Sequence, residues 1–345
     1  VIAAAGKAGR CGSGPRGATE MNGTISLRLA FIFLALALAS GFAPANAASY
    51  PAGPVRLVVG FGSASPADIV ARLVARHLEE ALGKPVVVEN RPGNSSMLAA
   101  EAVARAPNDG RTLFVATVAN TINPARMKSG FDLGKELAPI ALLGVVPNVL
   151  VANPSLPVKT VGDLIALAKR QTGQLTFGTS GLWTASHMAV AMFNMKAGTD
   201  IVAVPYQGGA SQAVTDLLAG RINLMFNVAA PLAPFVASGQ LTALAVGQSK
   251  RTAILPDVPT MEEAGLTGFD VGVWIGLLAP AGTAPEIIDT LAKASNEALQ
   301  QPSIREALKA QGIEVLGGTP AEFASFIARD IEKWRSLIEA AGLKE

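Results

Sequence analysis

The chain has 345 residues, half of them hydrophobic and 16% charged, a balance that buries a core and argues against disorder. Lys and Arg number 28 against 26 Asp and Glu, with no basic block, which argues against a nucleic-acid groove because counterion release needs clustered cations. One cysteine, Cys11, and two histidines cannot supply an internal disulfide or a Cys/His zinc centre, and the sequence has no calcium-loop motif, so neither a metal nor a cofactor is expected.

Met21 opens a segment that carries Arg28, an apolar run at 29–39 and the small-residue site Ala45-Asn46-Ala47. These are the three parts of a secretory signal peptide, and the run falls short of the roughly 20 residues that span a bilayer. Residues 1–20 read as sequence upstream of the start. Positions 1–47 are therefore set outside the fold, with cleavage expected after Ala47 and a periplasmic destination.

The mature chain alternates β-rich runs with helical patterns: strand 55–59, helix 67–82, strand 86–89, helix 98–105, strand 112–116. This βαβαβ order predicts parallel strands with helices on the faces. In the first helix Ile69, Val70, Leu73, Val74 and Leu78 recur at three- and four-residue steps, with Arg72, Arg76, Glu79 and Glu80 opposite, so one face packs on a sheet. A second unit opens after Pro147: strand 149–152, helix 163–170, strand 175–177, helix 185–196, strand 201–204, helix 211–218, strands 223–226 and 241–246. The run 271–278, with helices near 285–299, 303–311 and 320–341, reads as a return to the first layer. Roughly 300 mature residues exceed a usual single core, so two α/β lobes are expected, at 48–147 plus 271–345 and at 148–270. Thr160 with Asp163, Thr319 with Glu322 and Ser65 with Asp68 have capping-box spacing, the last two with Pro at the first helical position.

Three strand-to-helix junctions are rich in small and hydroxyl residues: Phe61-Gly62-Ser63-Ala64-Ser65, the stretch 177–186 with Thr179, Ser180, Trp183, Thr184 and Ser186, and Tyr206-Gln207-Gly208 running on to Ser211. Ligands bind beyond the carboxyl ends of α/β strands, and helix N-termini offer free N–H groups and roughly half a positive charge. Such loops suit an acid held without Lys or Arg, although ordinary βα turns use the same residues. Gly60-Phe61-Gly62 imitates a dinucleotide fingerprint, but Ser65 stands where the third glycine belongs. Ser186-His187 suggests a secreted hydrolase, yet adjacent residues on a helix do not face each other. Trp183 and Tyr206 are the better pocket-wall candidates, and Trp274, in an apolar run, reads as core.

Several ordered segments carry a resemblance: Val88-Glu89-Asn90-Arg91-Pro92-Gly93, Ala106-Pro107-Asn108-Asp109-Gly110, Phe177-Gly178-Thr179-Ser180-Gly181, Val204-Pro205-Tyr206 and Leu255-Pro256-Asp257-Val258-Pro259-Thr260. Along nearly its whole mature length the chain resembles the substrate-binding receptors of tripartite tricarboxylate transporters, the Bug-type periplasmic solute receptors. The resemblance implies a two-lobed α/β periplasmic binding protein of the Venus-flytrap, type II-like kind, each lobe a mostly parallel sheet flanked by helices. It implies a monomer that is no enzyme, closes on a small organic acid and delivers it to membrane permease subunits. The positions matching the family's ligand contacts are Phe61 to Ser65 with Asp68, Thr179 and Ser180, and Tyr206 to Gly208, with Thr117, Asn120 and Asn227 at further strand ends. Ala64-Ser65 replace the family's usual glycines, Asn94-Ser95-Ser96-Met97 a glycine-rich stretch, Trp183 a small residue and Asn227 an acidic one, so an altered lining is expected, with Trp183 as a flat apolar wall that would suit an aromatic acid. A hydrolase acting through Ser186 and His187, or a solute-sensing accessory protein, would use the same cleft.

Overall fold

The computed structural model describes residues 50–126, 131–206 and 209–343; the expected signal segment lies outside the described residues. The βαβαβ unit forms from β1 (Val55–Val59), α1 (Pro66–Leu82), β2 (Val86–Asn90), α2 (Met97–Ala104) and β3 (Thr112–Thr117). In it β1 runs parallel to both neighbours, Leu57 lying opposite Val88 and Leu113. Helix α1 buries Val70, Val74 and Leu78, the face its periodicity marks. Next come α3 (Ala119–Arg126), α4 (Leu133–Glu136) and β4 (Leu137–Val146).

A second sheet is built from β5 (Asn148–Ala152), α5 (Val161–Arg170), β6 (Thr176–Thr179), α6 (Ala185–Ala197), β7 (Val202–Pro205), α7 (Ala210–Leu218), β8 (Leu224–Val228), α8 (Ala229–Ala237) and β9 (Thr242–Val246), in the order β7-β6-β8-β5-β9. The chain then returns as β10 (Val273–Pro280), α9 (Pro285–Gln300), α10 (Pro302–Ala310), β11 (Glu314–Val315) and α11 (Pro320–Ala340). Strand β10 inserts between β3 and β4 and completes the six-stranded order β11-β4-β10-β3-β1-β2.

Both sheets are mixed rather than mostly parallel. Strands β1 to β3 and β6 to β8 are parallel because a helix links each to the next. Strand β10 enters from the other sheet without such a crossover and lies antiparallel to β3 and β4, and β5, reached from β4 through Pro147 alone, is antiparallel to β8 and β9.

Two crossings join the sheets, at 146–148 and at 247–272. They are tied to each other: Asn148 Nδ2 donates to Val271 O at 2.7 Å, Gly247 N to Asn148 O at 2.8 Å and Val271 N to Gly247 O at 2.8 Å. Helix α11 is anchored across the first sheet by buried Asp330, which accepts from Thr121 Oγ1 at 2.6 Å, Trp274 Nε1 at 2.8 Å and Trp334 Nε1 at 3.0 Å, with Lys333 Nζ at 2.6 Å. Trp274 is thus a core residue with a satisfied indole. The boxes at Thr160 and Thr319 form in both directions. The one at Ser65 forms in one direction only: Ser65 Oγ accepts from Asp68 N at 3.3 Å, while the Asp68 carboxylate turns elsewhere.

Candidate functional site

Five helix starts open onto one cleft of about 700 Å³, those of α1, α3, α6, α7 and α8. The first two belong to the six-stranded sheet and the other three to the five-stranded one, so the cleft lies between the carboxyl ends of both, where an α/β sheet binds ligands. Ser65 and Pro66, Thr117 and Ala119, Thr184 to Ser186, Gly209 to Ser211, and Asn227 with Val228 bring helix starts to its surface, and Phe61 lines it beside them. None of the described lining residues is Asp, Glu, Lys or Arg. Unpaired N–H groups and the positive ends of peptide dipoles are the charge such a wall offers.

The hydroxyls at the start of α6 are ordered in a chain. Thr184 Oγ1 donates to Gly181 O at 2.8 Å and accepts from His187 N at 3.4 Å. Its proton so placed, it accepts from Ser186 Oγ at 3.0 Å, and Ser186 Oγ accepts from Ser180 N at 2.9 Å. Ser180 Oγ, 2.9 Å from Ser186 Oγ, is then the donor of that contact and the free end of the chain; of the three hydroxyl protons it is the one that can be turned to a ligand at the cost of that single bond, with the bonds of Thr184 and Ser186 kept. Across the cleft Thr117 Oγ1 is buried with no hydrogen-bond partner, a cost unless a guest or water supplies one. The backbone N–H of Thr117 is held by Asn120 Oδ1 at 2.9 Å, and Asn120 Nδ2 lies 3.8 Å from Met97 Sδ.

The first loop is built from beneath. Asp68 is buried, accepts from Ala64 N at 3.0 Å and Asn90 Nδ2 at 2.9 Å, and pairs with Arg72 at 2.9 Å. Burial alone would raise its pKa; the bonds from Arg72, Asn90 and Ala64 outweigh it and hold the carboxyl below the ordinary range. Asn90 Nδ2 also reaches Phe61 O at 3.0 Å. A Cβ at Gly60 would sit 1.8 Å from Ser96 Oγ, so this glycine allows a close approach of the 94–96 turn rather than of a dinucleotide phosphate. Among the described residues, five non-glycines have positive φ, in the loops and the 3-10 turn near the cleft: Ala64, Asn94, Ser95, Ser96 and Trp183.

Of the residues singled out from the sequence, Phe61, Ser65, Thr117, Ser180, Thr184, Ser186 and Asn227 line the cleft. Asp68, Asn120 and Thr179 stand behind it, Thr179 Oγ1 donating to Gly181 O at 3.3 Å. Gly62, Ser63 and Ala64 belong to the first loop without lining the cleft, and Gln207 and Gly208 lie outside the described residues. Two placements differ from expectation. Trp183 is no pocket wall: it is buried in the core, edge-on to His187, with the Arg126 guanidinium 4.8 Å from its ring centroid. Tyr206 packs with the other apolar side chains of α7 and β5, and its hydroxyl donates to Asp216 at 2.8 Å; burial and that carboxylate push its pKa up to about 12.

Ser95, from the 94–97 stretch expected to alter the lining, is part of it, and residues the sequence did not single out as ligand contacts complete it: Asn148, Val214, Thr215, Leu218, Pro231, Phe235 and Val273 among them. Val214 and Leu218 were legible only as part of a helical repeat, and Pro231 and Phe235 sit in a helix that its prolines hid. Ser186 and His187 do not face each other as nucleophile and base: His187 Nδ1 accepts from Trp183 N at 3.3 Å, and burial lowers its pKa. No group of three or more His, Cys, Asp or Glu among the described residues could hold a metal ion.

The sequence profile of the tripartite tricarboxylate transporter family receptor matches residues 70–343. The chain belongs to that receptor family. Protein BugT of Bordetella pertussis is a 35% identical relative over 319 residues, 92% of this chain and 98% of that one. Among solved structures of similar proteins, one from R. palustris with adipate has a TM-score of 0.76 at 33% identity, covering 85% of this chain and 98% of that one. MatC from Rhodopseudomonas palustris with bound malate has 0.73 at 31%, covering 84% and 100%. This receptor thus has the two-lobed α/β fold of periplasmic binding proteins, and no helix among its described residues is long and apolar enough to cross a membrane.

Proposed function

We propose that this family member is an exported receptor that holds a small organic acid, as its carboxylate, between a lobe at 48–147 plus 271–345 and a lobe at 148–270, and hands it to the permease subunits of a tripartite transporter. The observation that carries the reading is the convergence of five helix starts on one cleft with hydroxyl donors and no charged side chain among the described lining residues. On opposite sheets, Thr117 Oγ1 has no internal partner and Ser180 Oγ is the terminal donor of the hydroxyl chain, able to exchange its bond to Ser186 for one to a guest. An acid touching both favours the closed arrangement through contacts that the open one lacks. Relatives holding adipate and malate support an acid as the guest.

Native mass spectrometry of the protein purified from its host identifies the retained solute; an acid is expected, and a sugar or a cation in its place refutes the reading. Delivery is tested by uptake of that solute in cells lacking the gene: uptake falls if the receptor feeds a permease, and unchanged uptake with an altered transcriptional response points to a sensing role.

A further inference from the structure

The wall that α7 and α8 form beyond their first turns has a chemistry of its own. Helix α7 presents Ala210, Val214 and Leu218 to the cleft at four-residue steps, a stripe roughly 12 Å long at 1.5 Å per residue. Helix α8 adds Pro231 and Phe235, one turn apart. Val214, Leu218 and Phe235 belong to the same apolar cluster. Two hydroxyl side chains of α7 also line the cleft: Ser211 lies in the first turn, at the helix start, and Thr215, farther along, already donates its proton to Ser211 O at 3.1 Å and has none for a ligand oxygen. A second carboxylate lying along this stripe would lose its hydration and gain no cation, a cost of several kcal/mol for an unpaired ion, whereas an apolar body would displace water at a gain that grows with its buried area.

We infer that the acid this cleft takes carries one carboxylate, held at the helix starts, and an apolar body lying along α7 and α8. The inference rests on the receptor reading above. It reassigns the apolar wall from Trp183, which is turned into the core, to Val214, Leu218 and Phe235.

The test is calorimetric titration of the ligand-stripped protein with benzoate, 4-methylpentanoate, adipate, malate and benzamide. One of the two monocarboxylates is expected to bind at least tenfold tighter than either dicarboxylate. Leu218→Asn and Phe235→Asn, both at half-buried positions, are expected to weaken that monocarboxylate tenfold or more, with thermal melts near the parent's. Should either variant misfold, Val214→Thr, which keeps the shape and adds a hydroxyl, reads the same wall. Adipate or malate binding as tightly as the monocarboxylates overturns the inference and leaves the receptor reading intact. Benzamide binding as tightly as benzoate, or none of the acids binding, overturns both.

Discussion

Ser180 is the hydroxyl that ends the chain at the mouth of α6: Thr184 donates to Gly181 O and Ser186 to Thr184, so Ser180 can exchange its one bond, to Ser186 Oγ, for a ligand oxygen. A hydrogen bond to a charged group contributes about 1.5–3 kcal/mol, so Ser180→Ala should weaken binding of the acid roughly 10- to 100-fold, as read by calorimetric titration, with little change in thermal stability. Asp68 acts one layer below. Its depressed pKa means that its contribution to stability is present above the unfolded value, about 3.9, and is lost as pH falls through the lower folded value. Denaturant unfolding should show Asp68→Asn less stable than the parent by about 1–3 kcal/mol near neutral pH, and the gap should narrow as pH falls below about 4. A gap unchanged by acid would show that the charge does no such work. Residues also mark where sequence reading ran out. A left-handed backbone at a non-glycine costs about 1–3 kcal/mol and is signalled by glycine when it can be; here Ala64, Ser95 and Trp183 adopt it, so the loop paths, and the inward turn of Trp183, had no marker in the chain.

At the scale of elements, what was legible was what periodicity and capping declare. Helix α1, its buried face and the parallel order of β1, β2 and β3 follow from three- and four-residue spacing and from βαβ logic. Helices α3 and α8 did not, since each carries an internal proline, Pro124 and Pro234, which interrupts the helical signal, and with α8 went half of the apolar wall. Strand β4 was missed as well; its partner β10 arrives more than a hundred residues later, and pairing at that separation leaves no local pattern. The contact that fixes α11 to α3 and β10 is equally non-local. Replacing Asp330 by Ala strands two indole N–H groups around a buried site and removes the 2.6 Å partner of Lys333, while the Thr121 hydroxyl keeps Val118 O as acceptor. Breaking such a buried pair costs about 3–5 kcal/mol, and Asp330→Ala should lower the denaturation midpoint accordingly.

For the whole molecule, the two crossings at 146–148 and 247–272 are the chain's routes between its sheets, and Asn148 ties them while also lining the cleft. Bending confined to those strands would move the lobes as rigid bodies. Small-angle scattering should then show the radius of gyration decreasing when the retained acid is added back to stripped protein; an unchanged radius would argue for a preformed pocket without closure. The doubling back of the chain, which puts 273–280 into the first sheet, was readable from the late β-rich run, whereas its antiparallel insertion between β3 and β4 depended on the tertiary route of the return.

A pocket whose described walls hold no ionic side chain throws little field into the surrounding solution, because dipole ends act only within the first turn of their helices. Such a receptor meets its guest by unassisted diffusion. Raising ionic strength from about 0.02 to 0.5 M, which shrinks the screening length severalfold, should leave the association rate in stopped-flow measurements nearly constant, where a lysine- or arginine-lined rival would slow steeply.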